Sequence, residues 1–213
     1  MVRPASAQDA RSPATPPAQD APPPPSIPLP ESWTSAATIP VWPGNPPGLA
    51  GFLPETPPAD WSPAFIRNVS RPDLHVFRPA RSNGHALLVV PGGAYWFVSI
   101  ANEGVEVADR MTALGFTVFV LTYRLPGEGW AARADAPLQD AQRALRVIRS
   151  QAADFGFDAD NVSVVGFSAG GHLAATLATG HAERVYAAAD GSSPSSRARD
   201  LSCVHGFSIV TTG

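Results

Sequence analysis

Val162-Ser163-Val164-Val165-Gly166-Phe167-Ser168-Ala169-Gly170 is the stretch that decides how this chain folds. Its first part, VSVVG, is short and almost wholly apolar, as expected of a strand covered on both faces. Ala169 to about Thr179 then reads as a helix. Between strand and helix stands the pattern G-x-S-x-G. The physics of such a turn is steric: it is so tight that side chains two before and two after the serine would collide, and Gly166 and Gly170 remove them. Ser168 is thereby expected at the carboxyl end of the strand, where open α/β sheets hold their ligands. The N-terminus of the next helix points at the same place, and its free N–H groups favour developing negative charge. The pattern alone is weak; the strand before it and the helix after it make it specific. A dinucleotide-binding turn, the main rival, needs G-x-G-x-x-G, which this sequence lacks.

Working outward, the same texture recurs. Ala86 to Val90 (ALLVV) and Phe116 to Tyr123 (FTVFVLTY) read as further buried strands, and Leu74 to Arg78 as a shorter one. Asn102 to Leu114 is expected to be a helix, with Val105, Ala108, Met111 and Leu114 on one stripe and Gly115 as its stop. Pro137 to about Ala153 is the strongest helix: Asp135 is placed to cap it, and Leu138, Ala141, Leu145, Ile148 and Ala152 form an apolar stripe. Arg143, Arg146 and Arg149 fall on its other faces. Alternating strands and helices define an α/β class with a mostly parallel sheet flanked by helices.

A second motif, Pro91-Gly92-Gly93-Ala94-Tyr95, follows ALLVV directly. Glycines there let backbone N–H groups turn toward a bound carbonyl oxygen that becomes an anion during acyl transfer. Each donor fixed in advance is worth roughly 3–4 kcal/mol. By itself PGGA reads as an ordinary turn; with G-x-S-x-G downstream, in that order, the pair is far more specific.

The remaining bulk properties exclude more than they assign. All fifteen basic residues are arginine, net charge is −3, and no basic patch suggests nucleic acid as a partner. The single cysteine, Cys203, cannot form an internal disulfide, and no Cys/His spacing suits a metal. No apolar run is long enough to span a membrane. Ten prolines in the first thirty residues argue for an irregular, polyproline-like leader, drawn as residues 1–38 ahead of a domain at 39–213. Trp42, Phe52, Trp61 and Phe65 are expected to wrap the domain edge. Ala5-Ser6-Ala7 followed by Gln8 has the small-residue pattern of an export-signal cleavage site without the apolar segment that should precede it, which leaves an exported and a cytoplasmic parent both open.

The run LLVVPGGAYWFVSIANEGVEVADRMTALGFTVFVLTYRLP, followed by PLQDAQRALRVIRSQAADFGFDADNVSVVGFSAGGHLAATLAT, resembles the acetyl-esterase and acetylxylan-esterase-like branch of the α/β-hydrolases, as does TIPVWPGNPPG upstream. The resemblance covers about residues 39–190 and implies a serine ester hydrolase acting on acyl groups of carbohydrates or small esters, with no cofactor. It implies Ser168 as nucleophile, N–H groups of Gly93 or Ala94 and of Ala169 as the oxyanion hole, and Tyr95 lining the acyl or sugar pocket. The family usually has a third glycine where this chain has Ala94. Family members also continue well beyond Ser168, so the expectation is a C-terminally shortened domain whose triad acid and base lie outside the chain. His205, in a His-Gly-Phe context, is the one candidate base, although Leu201 to Val210 reads as a strand. Asp190 and Asp200 read as loop acids, His172 as a packing residue one turn past Ser168, and His75, His85 and His181 as surface or edge residues. The competing expectation is a hydrolase fragment that does not turn over.

Overall fold

The structure, a computed structural model, describes residues 28–180, 185–186, 200–204 and 207–212, the last two ranges by their backbone. Its centre is a seven-stranded sheet. The strands are β1 (Ala37–Pro40), β3 (Asp73–Phe77), β4 (Ala86–Val90), β6 (Thr117–Leu121), β7 (Val162–Phe167), β8 (Asp200–Val204) and β9 (Phe207–Thr212), arranged β1-β3-β6-β4-β7-β9-β8. A separate two-stranded ribbon joins β2 (Phe65–Ile66) to β5 (Val98–Ser99). The helices are α1 (Glu31–Thr34), α2 (Glu106–Ala113, entered through one π turn at Ala101–Val105), α3 (Ala136–Ser150), α4 (Ala152–Phe155) and α5 (Ala169–Thr179).

β4 and β6 are buried at every residue, as their uninterrupted apolar sequences require, and β4 lies parallel to both β6 and β7. The sheet is parallel only in this middle: β1, β3, β8 and β9 all pair antiparallel. It is therefore a mixed sheet. From β4 the chain crosses by α2 to β6 on one side, then by α3 to β7 on the other. β4 thus marks a topological switch point, and the loops leaving β4 and β7 meet at the carboxyl end of the sheet. Right-handed crossovers in opposite directions put α2 and α3 on opposite faces, and α3 packs beside α5.

Several sequence expectations shift. The leader boundary at residue 38 is too late: α1 and β1 are built into the domain, with Trp33 buried and its ring stacked on His75 at 3.5 Å. His75, expected at the surface or an edge, is half-buried with its ring packed against this indole. Residues 1–27 lie outside the described residues. Leu114 is 66% exposed because the helix ends at Ala113 and the chain reverses at Gly115. Asp135 makes no side-chain cap; the helix is entered instead through a short 3-10 turn. α3 is buried nearly all round, Arg143 and Arg149 included, since their Nε atoms donate to the backbone oxygens of Val41 and Ala159. The single strand expected over Leu201 to Val210 is two strands, β8 and β9, paired antiparallel, with β9 running antiparallel along the whole of β7.

One buried charge pair ties the layers together. Arg124, just past β6, bonds both oxygens of Asp140 on α3, the Pro47 carbonyl and the Gln139 side chain, while the Trp42 indole N–H donates to Asp140. Removing one partner of such a pair typically costs about 3–5 kcal/mol, because the other charge is left stranded.

Candidate active site

Ser168 sits between β7 and α5 at φ 48°, ψ −118°, a conformation non-glycine residues avoid. Strain of this kind costs on the order of 1–3 kcal/mol and persists only where the surroundings impose it. Here the imposition is visible. A Cβ on Gly166 would lie 2.2 Å from the Gly170 carbonyl oxygen, and one on Gly170 would lie 2.0 Å from the Val90 carbonyl oxygen. The turn is closed by backbone on backbone, so neither position admits a side chain. Ser168 is exposed, and its hydroxyl has no hydrogen-bond partner among the described residues.

PGGA lies against this turn. A Cβ on Gly92 would meet the Phe167 carbonyl oxygen at 2.5 Å and the Ser168 Cβ at 3.0 Å. The loop then passes through three consecutive left-handed residues, Gly93 (φ 132°), Ala94 (φ 54°) and Tyr95 (φ 60°). Ala94 therefore adopts a glycine-like angle despite its Cβ. The N–H groups of Gly93 and Ala94 have no acceptor among the described residues. Ala169, the first residue of α5, likewise has an N–H beyond the reach of intrahelical bonding.

Two side chains that sequence reasoning missed, and two backbone N–H groups, hold this loop. Glu103, in the π turn before α2, accepts the Gly92 N–H at 2.6 Å. The Tyr123 hydroxyl, past the end of β6, donates to the Pro91 carbonyl at 2.8 Å. Burial, with Tyr95 and Glu103 close by, pushes the Tyr123 phenol well above its ordinary range, so it stays a donor. The Phe97 and Trp96 N–H groups both return to the Gly93 carbonyl. No local spacing announces Glu103; only the fold brings it under Gly92.

Tyr95 is half-buried, its hydroxyl 2.9 Å from His172 Nδ1, and burial pushes its phenol up to about 12. His172, expected to be a packing residue, is instead exposed and engages the Tyr95 hydroxyl. His205 lies outside the described residues, as do Asp190 and His181. The strands on either side of it are described: Phe207 at the start of β9 pairs with Phe167, next to Ser168.

A mixed sheet with a serine on a strained strand-to-helix bend, faced by a glycine loop from the switch-point strand, defines an α/β-hydrolase-type domain. The BD-FAE family profile matches residues 73–204, and the chain belongs to that family. An acetylxylan esterase of Xylanibacter ruminicola is 32% identical over 131 residues, 60% of this chain and 26% of that protein. Esterase LipQ of Mycobacterium tuberculosis is 35% identical over 109 residues, 51% of this chain and 24% of its own length. Among solved structures, the propionate-bound thermophilic esterase of Thermogutta terrifontis superposes with a TM-score of 0.51 at 25% identity, covering 62% of this chain and 48% of that one. The chain thus spans about a quarter of the two curated relatives and about half of the solved esterase.

Proposed function

We propose that this chain carries the nucleophile and oxyanion hole of a serine ester hydrolase that removes acyl groups, acetyl above all, from carbohydrate or small esters. The observation that carries the reading is the closeness of two features that sequence set far apart: strained Ser168 and the PGGA loop, with Gly92 in contact distance of Ser168. That the relatives are esterases supports it.

The chemistry follows from the parts. Ser168 Oγ attacks the ester carbonyl as its proton passes to a base. The carbonyl oxygen gains negative charge and is met by the N–H groups of Gly93 or Ala94 and of Ala169. Collapse of the tetrahedral intermediate expels the alcohol and leaves an acyl-serine, which water hydrolyses by the same route in reverse. Tyr95, neutral and fixed by His172, lines the pocket. No cofactor enters. The base this scheme needs is a histidine, and His205 is the candidate the sequence offers; His205→Ala reduces turnover to the level of Ser168→Ala if it fills that role.

The test is turnover of a chromogenic acetate ester by the purified chain, with Ser168→Ala as control. A rate that collapses in the variant supports the reading. Equal rates favour the alternative, a hydrolase-like chain without catalysis of its own.

A further inference from the structure

Beside the site stands a group of residues that the chemistry above does not use. Trp96, directly after Tyr95, is 54% exposed, the largest apolar side chain left so open among the described residues. It is nevertheless fixed. The Arg67 guanidinium lies 4.8 Å from its ring centre, and Trp61 meets it edge-on at 5.3 Å. Arg67 Nε also donates to the Trp96 carbonyl at 3.1 Å. The Arg67 side chain is itself only 6% exposed; it also lies 5.5 Å from the Trp61 ring centre and forms an ion pair with Glu55, whose side chain is 58% exposed. Glu55 is fixed at its backbone as well: its N–H donates to Asn68 Oδ1, and its carbonyl accepts from Asn68 Nδ2. One buried guanidinium therefore carries both an open indole and an open carboxylate. The β2–β5 ribbon, pairing Phe65 with Ser99 and Ile66 with Val98, ties the segment carrying Arg67 to the one that follows the PGGA loop.

We propose that Trp96 and Glu55 form a sugar-binding subsite in which a pyranose ring lies on the free face of the indole and the Glu55 carboxylate accepts hydrogen bonds from its ring hydroxyls. A rigid aromatic face suits the apolar C–H side of a sugar, and a pre-positioned carboxylate suits neighbouring hydroxyls. Order matters energetically: a clamped indole loses little freedom on binding, whereas a mobile surface tryptophan would lose much of the gain. The subsite deepens the esterase reading and rests on it for its purpose, because the ledge begins one residue beyond Tyr95 and would hold the sugar whose ester faces Ser168.

The experiment is calorimetric titration of the whole Ser168→Ala chain with unacetylated xylotetraose, repeated with Trp96→Ala and with Glu55→Gln added. Each addition weakens binding about tenfold or more, as removal of an anchoring contact does. On the otherwise unaltered chain, Trp96→Ala lowers kcat/KM for acetylated xylotetraose more than for 4-nitrophenyl acetate, and does so through KM. Absence of xylotetraose binding, equal binding by the variants, equal loss on both esters, or preferential binding of a free aromatic acid such as ferulate would each overturn the subsite. Sugar binding without ester turnover leaves the subsite standing and removes the esterase reading; turnover without sugar binding does the reverse.

Discussion

Replacing Gly170 by alanine adds one methyl group where α5 meets the end of β4. That carbon would stand 2.0 Å from the Val90 carbonyl oxygen, 2.6 Å from that of Pro91 and 2.8 Å from the Pro91 carbonyl carbon. All three are backbone atoms, so no rotamer change relieves the clash. Comfortable non-bonded separations are roughly 3.5 Å, and relief needs a displacement on the order of 1 Å between helix and strand. Overpacking of this kind costs about 1–3 kcal/mol of stability. The effect on turnover should be larger, because Ser168 rides on one of the parting elements and PGGA on the other. A misplacement of about 1 Å between reacting groups costs roughly a hundredfold in rate. The assay is urea denaturation, read as a lower midpoint at unchanged slope, together with kcat/KM for a chromogenic acetate. Gly127→Ala is the control, since nothing lies within 4 Å of its added carbon. A Gly170→Ala chain as stable and active as its parent would refute the claim that close backbone packing forms the bend.

Glu103→Ala should strand the buried Gly92 N–H at a cost of about 1–3 kcal/mol and lower kcat more than it raises KM, whereas Glu103→Gln, which keeps an acceptor, should recover most of both; urea midpoints and steady-state kinetics check this. His75 gives a pH signature. Burial beside Trp33 lowers its pKa from 6.5 to about 4, so between those values the unfolded chain takes up a proton the folded chain refuses. Stability should therefore fall as pH drops from 6.5 toward 4, with no such contribution above that window. The difference in urea midpoint between the parent and His75→Gln, followed across pH 4–7, isolates it; a difference that does not vary with pH would contradict the assignment.

How much of this was legible in sequence depended on whether the cause was local. β4, β7 and α5 were readable almost to the residue, because apolar runs and a G-x-S-x-G bend are local causes. The face-to-face placement of PGGA and Ser168 was inferable from their order, since the loops after the switch-point strands must converge. Glu103, Tyr123 and the Arg124–Asp140 pair were not, for each acts on a residue far along the chain and has no periodic signature. The arginines of α3 misled for a related reason: a charged side chain reads as solvent-facing until the carbonyls it reaches are known. The direction of the outer strands was also beyond pattern, because an apolar run is the same read parallel or antiparallel.

Ser168, as we propose it, is an activated nucleophile facing a preformed anion pocket. Treating the chain with a fluorophosphonate and mapping the product by peptide mass spectrometry tests it most directly. A single phosphonyl group on Ser168, absent from Ser168→Ala and slowed in Gly170→Ala, is the expected result. An unlabelled Ser168, or label spread over other serines at similar rates, would contradict it.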